Sequence, residues 1–535
     1  MASKTPALQP RSAYHRNWGN YADPTLLPNA SGAPLPNPEF SKLEAGDLAY
    51  VTTTNPGVYY CQATGGPNNG LANWVLLASA ATTTIRDAHE IVVVQDGGPY
   101  VGTAGINGDV VDPGSGDGIR TALTNADALV ASGYAGVDVR VRPCTISVLP
   151  TAAPLQINAS VRLIGAGREQ SEITGNFQTA TTQTIARMED GASLEGFRLI
   201  TPAPDSSPGA GLGVVEVLGQ TGNVQIRHCD FVMQTGVNDR NGTNSFIYCE
   251  TGDRVVIDDC YFDGVDLLDS QGIPCIGIRF ESTTVARVSR DALVTNCRMS
   301  GGNQMIVCRN VEGGVFQNIS HYQAADPDAS FQFSLDVWDG QAELRGFRLS
   351  GFDITFADQD LGDHTGIRVQ NTAEGTPPAS IANIIISQVN MRWQGATVPA
   401  NARTGILVEL IGASPVAASI IEQVSISDVN IFGALNTTAA EAVVLEANGG
   451  AEEIRNVSIS SLQTINNVTV GVRLNGLNQG FVRNVSVIGS KIQNAGTSVN
   501  VGSSVESTII LGNNFFSSGA IVDAGFSTEQ AHNNF

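Results

Sequence analysis

The feature that most constrains this chain is a recurring nine-residue segment, in which apolar residues two apart are followed by a kink and then by two more apolar residues. The clearest copies are NVQIRHCDF, RVVIDDCYF, NIIISQVNM, QVSISDVNI and NVSVIGSKI, which align on Ile226, Ile257, Ile386, Ile426 and Val487. Weaker copies align on Val294, Phe316, Leu349, Ile459 and Leu511, so that successive anchors lie 22 to 40 residues apart. A second strand-like run, such as GVVEVL from Gly213 or GIRFE from Gly277, precedes each anchor.

Two short strands per repeat, separated by loops of variable length, are typical of a solenoid whose coils bury their apolar faces against neighbouring coils. A β-sandwich would instead show hairpin signals every ~8–12 residues, and the chain lacks them. With 58 Gly and only 15% charged residues, the composition favours strands and turns over helices. We therefore predict an all-β protein built as a right-handed parallel β-helix over residues 156–535.

A solenoid needs a cap at its open end, and one amphipathic helix is predicted just before the coils. Within DGIRTALTNADALVASG, helical spacing places six apolar residues on one face: Ile119, Ala122, Leu123, Ala126, Leu129 and Val130. We expect a capping helix over about residues 118–132, with Asp117 as its N-cap and Gly133 ending it.

The cysteines fit the repeat, because Cys229, Cys260 and Cys297 fall at one position of the coil while Cys249 and Cys308 share another. We expect stacked, reduced core thiols. The eight Cys lack CxxC spacing and the six His are scattered, so we expect no metal site and no cofactor. Three aspartates, Asp358, Asp360 and Asp363, offer either a weak Ca²⁺ site or an acidic solvent loop.

The charge of the chain excludes one class of partner. Its 51 acidic and 29 basic residues give a net charge of −22, which argues against binding to nucleic-acid phosphates. No apolar run approaches the ~18 residues of a spanning helix, and the N-terminus lacks the apolar stretch of a signal peptide. We expect the protein to be made in a cytoplasm, and we expect no membrane insertion.

The order of helix, strand and the V-x-L-x-G-x-G turn of VRLIGAG resembles the N-terminal part of the pectin-lyase-like superfamily, from about Asp109 onwards. Residues 1–82 contain a GDLAYV…VYYC…W pattern that resembles the small β modules of bacteriophage tail fibres and tailspikes. The expected domains are this attachment module (1–82), a connector and cap (83–155) and the β-helix (156–535).

These resemblances imply a virion protein of a bacteriophage, made in the host cytoplasm and exposed on the particle. It would contact other virion proteins through its N-terminal module and attach to the host through a bacterial surface polysaccharide. They also imply a homotrimer, for which outward Ile385, Leu407, Val444 and Ile488 are candidate contacts, although scattered exposed aliphatic residues are also ordinary. The coil pattern continues to Phe516 without a separate C-terminal trimerisation domain, a departure from many tailspikes.

The segment FSLDVWDG suggests where a ligand would bind. Phe333, Leu335 and Val337 alternate with Asp336 and Trp338, so a strand that buries the first three exposes a carboxylate and an indole. Stacking the second strand of every coil then gives two outward rows of side chains. The expected first row is Glu216, Tyr248, Arg279, Val307, Asp336, Arg368, Leu407, Val444 and Arg473, and the second is Leu218, Glu250, Glu281, Arg309, Trp338, Gln370, Glu409, Glu446 and Asn475.

Aromatic faces beside carboxylates and guanidinium groups suit a sugar polymer, so the predicted substrate-binding residues are Tyr248, Arg279, Arg309, Trp338 and Arg368. Glycoside hydrolysis needs two carboxyl groups, for which the candidates are Glu250, Glu281 and Asp336. Like charges on neighbouring coils would raise the pKa of one carboxyl, as a general acid requires. The alternative is a solvated or passively binding surface, which we weigh above catalysis at these residues.

Three functions remain open from the sequence. The first is a spike that also depolymerises its polysaccharide, more plausibly by hydrolysis than by elimination. The second is a non-catalytic adhesin or a structural, capsid-decorating spike. The third is a secreted polysaccharide lyase, against which the lack of a signal peptide counts.

Overall fold

The computed structural model describes most of the repeat region and parts of the N-terminal region. The described residues are 17–21, 48–51, 57–63, 73–79, 89–95, 110–148, 154–175, 184–202, 213–218, 222–234, 244–250, 252–264, 275–282, 289–302, 304–323, 330–337, 344–356, 364–372, 380–394, 403–411, 419–433, 440–449, 452–465, 468–478, 480–493, 495–516 and 518–535.

The chain divides into two compact units, Met1–Arg86 and Asp87–Phe535. The first unit contains a four-stranded sheet, in which the first two strands pair in parallel and the others are antiparallel neighbours. Its strands are Asn17–Tyr21, Leu48–Val51, Gly57–Ala63 and Asn73–Ser79.

The second unit is a solenoid in which every described strand pairing is parallel, as the repeat predicts. One sheet, here called the ladder sheet, takes one strand from each coil. Its strands are Leu155–Ile157, Ala186–Met188, Gly213–Val217, Asn244–Glu250, Cys275–Glu281, Gln304–Arg309, Ser330–Val337, His364–Asn371, Arg403–Ile411, Ala440–Asn448, Val470–Leu477, Thr497–Val501 and Val522–Asp523.

The rest of each coil belongs to a second, bent sheet, here called the bent sheet. Its strands are His89–Gln95, Val110–Asp112, Val137–Val141, Cys144–Val148, Val161–Ile164, Ser171–Gly175, Ser193–Glu195, Arg198–Pro202, Gln225–Arg227, Asp230–Gln234, Val256–Asp258, Tyr261–Asp263, Ser289–Thr295, Arg298–Ser300, Val311–Gln323, Leu344–Phe356, Ser380–Trp393, Ile420–Phe432, Glu453–Ile465, Phe481–Ile488, Lys491–Gln493, Val505–Leu511, Asn514–Phe516 and Glu529–Ala531.

The kink in the nine-residue segment is a backbone bend at one residue with positive φ. Asp259, Gln388 and Asp428 have φ of 49°, 56° and 54° at this point, and Gly489 has 61°. Asn and Asp tolerate the left-handed region better than other non-glycine residues, which explains the polar residue in the middle of an apolar repeat. The bend turns the chain from one face of the solenoid to the next.

The core consists of apolar residues stacked from coil to coil. Phe316 packs edge-to-face on Phe333 with ring centroids 5.0 Å apart, and Phe333 packs in the same manner on Phe352. The predicted cysteine positions are confirmed for the ladder sheet, where Cys249 and Cys308 share one position with Phe280 between them. Six thiols are buried and free, those of Cys144, Cys229, Cys249, Cys260, Cys297 and Cys308. Burial raises the pKa of Cys229 to about 12.

The capping helix runs from Asp117 to Ala131 and buries Ile119, Ala122, Leu123 and Ala126, as predicted. Gly133, with φ of 103°, ends it. The predicted N-cap is wrong: Gly116 holds that position, and Asp117 makes no side-chain cap bond.

A buried carboxylate from the preceding strand caps the helix instead. Asp112 Oδ1 accepts hydrogen bonds from the Gly114 and Gly116 amides, and Oδ2 accepts one from Ile119. The orphan amides of the helix are thus satisfied across a turn, which sequence spacing did not reveal.

The parallel β-helix predicted from the repeat is confirmed. Among the described residues, no helix has the length and apolar character needed to cross a membrane.

Candidate functional site

The outward positions of the ladder sheet carry the ionic groups predicted from the sequence, but one coil has a different register. The observed first row is Glu216, Tyr248, Arg279, Val307, Ser334, Arg368, Leu407, Val444 and Arg473. The observed second row includes Glu250, Glu281, Arg309, Asp336, Gln370, Glu409, Glu446 and Asn475.

Asp336 therefore belongs to the second row, opposite Arg309, and Ser334 takes the place that we expected Asp336 to hold. The error has a simple cause. Because side chains alternate with a period of two, a shift of two residues leaves the same side chains on the same face, and alternation does not detect it. Trp338, expected in the second row, lies outside the described residues.

The expected exposure of these rows is also wrong at several positions. Asp336 is 1% exposed, Tyr248 1% and Arg279 6%, and Val444, a candidate trimer contact, is fully buried. Parallel sheets are usually covered on both faces, so alternation separates the two faces of a strand without showing that one of them meets water. Ile385 and Ile488, on the bent sheet, are exposed as expected.

Glu281 is the centre of the first ionic cluster, which we call the Glu281 cluster: Tyr248, Arg279, Glu281 and Arg309. Arg279 Nη2 lies 2.6 Å from Glu281 Oε2, and Arg309 Nη1 lies 3.3 Å from Oε1. The Tyr248 hydroxyl donates to Oε2 at 3.3 Å, and the Arg279 guanidinium lies 5.7 Å from the centre of the Tyr248 ring. The structure thus brings together three predicted binding residues around one predicted catalytic residue.

The electrostatics of this cluster favour an ionised Glu281. Burial by itself would raise the pKa of Glu281, but the charges and hydrogen bonds of Arg279 and Arg309 outweigh burial and hold the pKa below its ordinary value. The expected upward shift from neighbouring Glu250 is therefore not found at Glu281. A carboxylate held in this form suits ligand positioning or a base better than a general acid.

Asp336 forms a second, deeper pair with Arg368. Its Oδ1 accepts a hydrogen bond from Ser334 at 2.8 Å, and Arg368 Nη2 donates to its Oδ2 at 3.1 Å. Burial lowers the pKa of the Arg368 guanidinium from its ordinary value, while Asp336 opposes that shift. A carboxylate so enclosed primarily neutralises a buried cation.

The separations of the predicted carboxylates follow from the register. Glu250 and Glu281 are directly paired on adjacent strands, which places their Cα atoms ~4.8 Å apart. Glu281 and Asp336 are separated by the strand that carries Arg309, which gives ~9.6 Å. These backbone spacings are compatible with either stereochemical class of glycosidase, and the assignment of Glu250, Glu281 and Asp336 as catalytic stays a prediction.

A second pair of carboxylates, Glu409 and Glu446, lies farther along the same row. The apolar first-row residues beside them, Leu407 and Val444, had made these coils look featureless in the sequence. Glu409 and Glu446 face each other on adjacent strands. Gln370 donates to Glu409 at 3.1 Å, and Arg473 lies 3.0 Å from Glu446. Burial and the charge of Glu446 raise the pKa of Glu409 above its ordinary value. The sequence contains a signal for this pair, because two successive coils have a glutamate at the same position of the second row.

Among the described residues, no group of three or more His, Cys, Asp or Glu side chains is arranged to hold a metal ion. Asp358, Asp360 and Asp363 lie outside the described residues.

Comparison with known proteins gives relatives at the level of fold. No protein-family model and no curated protein sequence matches the chain. Among solved structures, a mutant tailspike protein of E. coli bacteriophage HK620 in complex with a pentasaccharide matches with a TM-score of 0.52 and 11% identity, covering 80% of this chain and 79% of that one. A double mutant of the same tailspike, also in complex with a pentasaccharide, gives a TM-score of 0.51, with the same identity and coverage.

A third match is the A-module of the mannuronan C-5 epimerase of Azotobacter vinelandii, with a TM-score of 0.41 and 13% identity over 79% of this chain and 97% of that one. Identities this low compare folds and not sites. The chain therefore has the parallel β-helix fold that is found in phage tailspike proteins.

Proposed function

We propose that this protein is a tailspike or tail-fibre-like virion protein of a bacteriophage that binds a bacterial surface polysaccharide along the ladder sheet. The observation that carries the proposal is the Glu281 cluster, in which the partly exposed Glu281 and Arg309 side chains lie at adjacent positions on one sheet. The buried Tyr248 and Arg279 hold the Glu281 carboxylate in place from beneath. Recognition of a host glycan would attach the particle to its host.

The chemistry of the ladder sheet matches a carbohydrate. Sugar hydroxyl groups bridge to carboxylates, amides and guanidinium groups. The second row repeats such polar groups from coil to coil at ~4.8 Å, with Gln370 and Glu409 continuing beyond Asp336. An extended row of donors and acceptors suits an extended polymer.

The same proposal includes the setting of the protein. We infer a virion location, contacts with other virion proteins through residues 1–82, and a homotrimer. Support comes from the resemblance of the N-terminal region to phage β modules and from the solenoid fold that the chain shares with a phage tailspike. The alternative is a structural, capsid-decorating spike or adhesin that does not cleave its ligand.

Depolymerisation is a second candidate function, and the Glu409–Glu446 pair favours it. Strand pairing places their Cα atoms ~4.8 Å apart, a backbone spacing from which two glutamate side chains can reach the ~5–5.5 Å carboxyl separation of a retaining glycosidase. Arg473 pairs with Glu446, whereas Glu409 has an amide partner and a raised pKa. Two carboxyls in such different environments can divide the acid and base roles.

The experiment that tests both functions uses purified protein and a panel of bacterial capsule and lipopolysaccharide preparations. Binding is measured first, and then new reducing ends and the ultraviolet absorbance of unsaturated uronates. Reducing ends alone indicate hydrolysis, reducing ends with absorbance indicate elimination, and binding without product indicates an adhesin. Failure to bind any preparation would contradict the proposed function.

Variants then locate the chemistry. If cleavage is found, Glu409→Gln and Glu446→Gln should each lower its rate at least ~100-fold, while binding persists. Glu281→Gln should mainly weaken binding. The matched control is Glu312→Gln, which changes a half-exposed carboxylate on the bent sheet that pairs only with Arg290 among described residues. If both the Glu409 and the Glu446 variant cleave at the wild-type rate, this pair is not catalytic. The catalytic candidates are then Glu250, Glu281 and Asp336.

A further inference from the structure

Tyr322 differs from the buried Tyr248 in that solvent reaches its side chain. It is 46% exposed and lies on the bent-sheet strand Val311–Gln323, after the left-handed bend at Asn318. Among the residues of the second unit before Phe516 whose exposure the structure describes, it is the only aromatic residue that is exposed. Its side chain makes no hydrogen bond or ring contact with another described residue. An exposed ring with a polar tip offers a face on which a ligand can stack.

Polar and aromatic side chains follow Tyr322 on the next three coils, in two outward rows. One row is Tyr322, Thr355, Arg392 and Phe432, and the row two residues earlier on each strand is Ser320, Asp353, Asn390 and Asn430. The residues of this surface on which the argument depends are here called the Tyr322 face: Tyr322, Asp353, Asn390, Arg392, Asn430 and Phe432.

Two contacts orient the polar groups of the Tyr322 face. Asn430 Nδ2 donates to Asn390 Oδ1 at 2.9 Å, and the Arg392 guanidinium lies 5.2 Å from the centre of the Phe432 ring. A guanidinium and a side-chain amide each have several hydrogen-bonding positions. These contacts therefore fix the direction of the groups and leave much of their hydrogen-bonding capacity for a ligand.

The charges of the Tyr322 face are few and balanced. Asp353 and Arg392 are both exposed, and neither forms an ion pair with a described residue. The two preceding coils add Asp263 and Arg298, again one charge of each sign. A surface without net charge has no general preference for an anion or a cation. Its carboxylate, amides and guanidinium can all bond to hydroxyl groups.

The apolar groups of this face are spaced along the solenoid and are not contiguous. Tyr322 and Phe432 are three strand steps apart, ~14 Å, with Thr355 and Arg392 between them. The core of a protein–protein interface is instead a continuous patch that is poor in charged residues. Rings and hydrogen-bonding groups that alternate along the coils suit an extended, hydroxyl-rich chain better.

We infer that the Tyr322 face is a second polysaccharide-binding face, which takes a chain of neutral sugars along the bent sheet. One sugar stacks on the Tyr322 ring, and hydroxyl groups of neighbouring sugars bond to Asp353, Asn390 and Arg392. This inference goes beyond the proposed function, because it concerns a different sheet and holds whether or not the ladder sheet binds a glycan.

The test uses the purified full chain and lipopolysaccharide O-chains that consist of neutral sugars and have been released from lipid A. All variants are made in the Glu281→Gln background, in which binding by the ladder sheet is weakened. Tyr322→Ala should bind the O-chains at least ~10-fold more weakly than this background, because the stacking ring is lost. Tyr322→Phe keeps the ring and should stay within ~3-fold of it.

Two further variants complete the comparison. Asp353→Ala removes an exposed acceptor without touching the ring and should also lose ~10-fold in affinity. Ile509→Ala is the matched control, because Ile509 is 38% exposed on the same sheet but lies outside the Tyr322 face. It should bind the O-chains like the background.

Thermal unfolding and light scattering of each variant follow the fold and the mass of the particle. Background-like binding by Tyr322→Ala and Asp353→Ala overturns this inference while the proposed function stands. A change of mass in Tyr322→Ala also overturns it, because the face then joins copies of the chain. Loss of binding in Tyr322→Ala without any effect of Glu281→Gln on the wild type supports the inference and contradicts binding by the ladder sheet. Absence of binding to every neutral O-chain overturns the inference, and absence of binding to every glycan of the panel overturns both.

Discussion

Replacing Asp336 by Asn should destabilise the solenoid strongly, because it removes the charge partner of a buried arginine. Asp336 is 1% exposed, Arg368 has a side chain that is 15% exposed, and their polar atoms are 3.1 Å apart. Removing one partner of a buried pair costs ~3–5 kcal/mol. Asn can still accept the Ser334 hydroxyl bond, so we expect the lower end of that range, about 3 kcal/mol.

The assay is urea unfolding at neutral pH, with hydrogen exchange of the strands Ser330–Val337 and His364–Asn371 as a local readout. Arg368→Met should lower the free energy of unfolding by a similar amount, since it removes the guanidinium that pairs with the buried Asp336 carboxylate. The double variant should cost at least ~1.5 kcal/mol less than the sum of the two, because it removes both members of the pair together and leaves neither buried charge behind. Glu312→Gln, in a half-exposed pair, should change stability by less than ~0.5 kcal/mol.

A loss below ~1 kcal/mol in Asp336→Asn, or strict additivity in the double variant, would refute the view that Asp336 serves to neutralise Arg368. A stable Asp336→Asn protein that binds glycan but no longer cleaves it would instead restore Asp336 as a catalytic residue. The same variant therefore separates a structural role from a chemical one.

Three further predictions concern stability. Burial raises the pKa of Glu452 to about 7, above the ~4.3 of a glutamate in the unfolded chain. The free energy of unfolding should therefore fall as the pH rises from ~4.3 to about 7, because the folded state disfavours the ionised carboxylate. Glu452→Gln should flatten this part of a plot of urea midpoint against pH. His321 behaves oppositely, because burial lowers its pKa to about 4; stability should fall as the pH drops below ~6.5, and a profile of His321→Gln that still shows the same fall would contradict this. Gly405→Ala should cost ~1–3 kcal/mol, since a Cβ there would lie 2.5 Å from the Ala442 carbonyl oxygen, and an unchanged urea midpoint would show that the coils can separate locally.

The repeat was sufficient for the fold because its information is local. Alternating apolar residues define strands, and a polar residue such as Asp259 or Asp428 between two apolar pairs marks the left-handed bend. Neighbouring coils repeat the same pattern, so each copy of the segment reinforces the same interpretation. The capping helix was predicted for the same reason, from the spacing of its own buried residues.

The candidate site was predicted less completely, because it depends on contacts between residues far apart in the chain. The sequence predicts that Glu281, Arg279, Arg309 and Tyr248 lie on one face of the sheet. The structure places the other three within hydrogen-bonding distance of Glu281. Their pairing depends on side-chain conformations that no pattern encodes.

The sequence by itself determined the position of the kink in each repeat, many of the residues that fill the core and the face that carries the ionic groups, since all of these follow from periodicity along one chain. Only the tertiary structure decided the register that moves Asp336 opposite Arg309, the burial of the ladder-sheet rows, and the capping of the helix by Asp112. The physical reason is that a two-residue shift preserves alternation, while burial and pairing arise from side chains brought together across many residues of intervening chain.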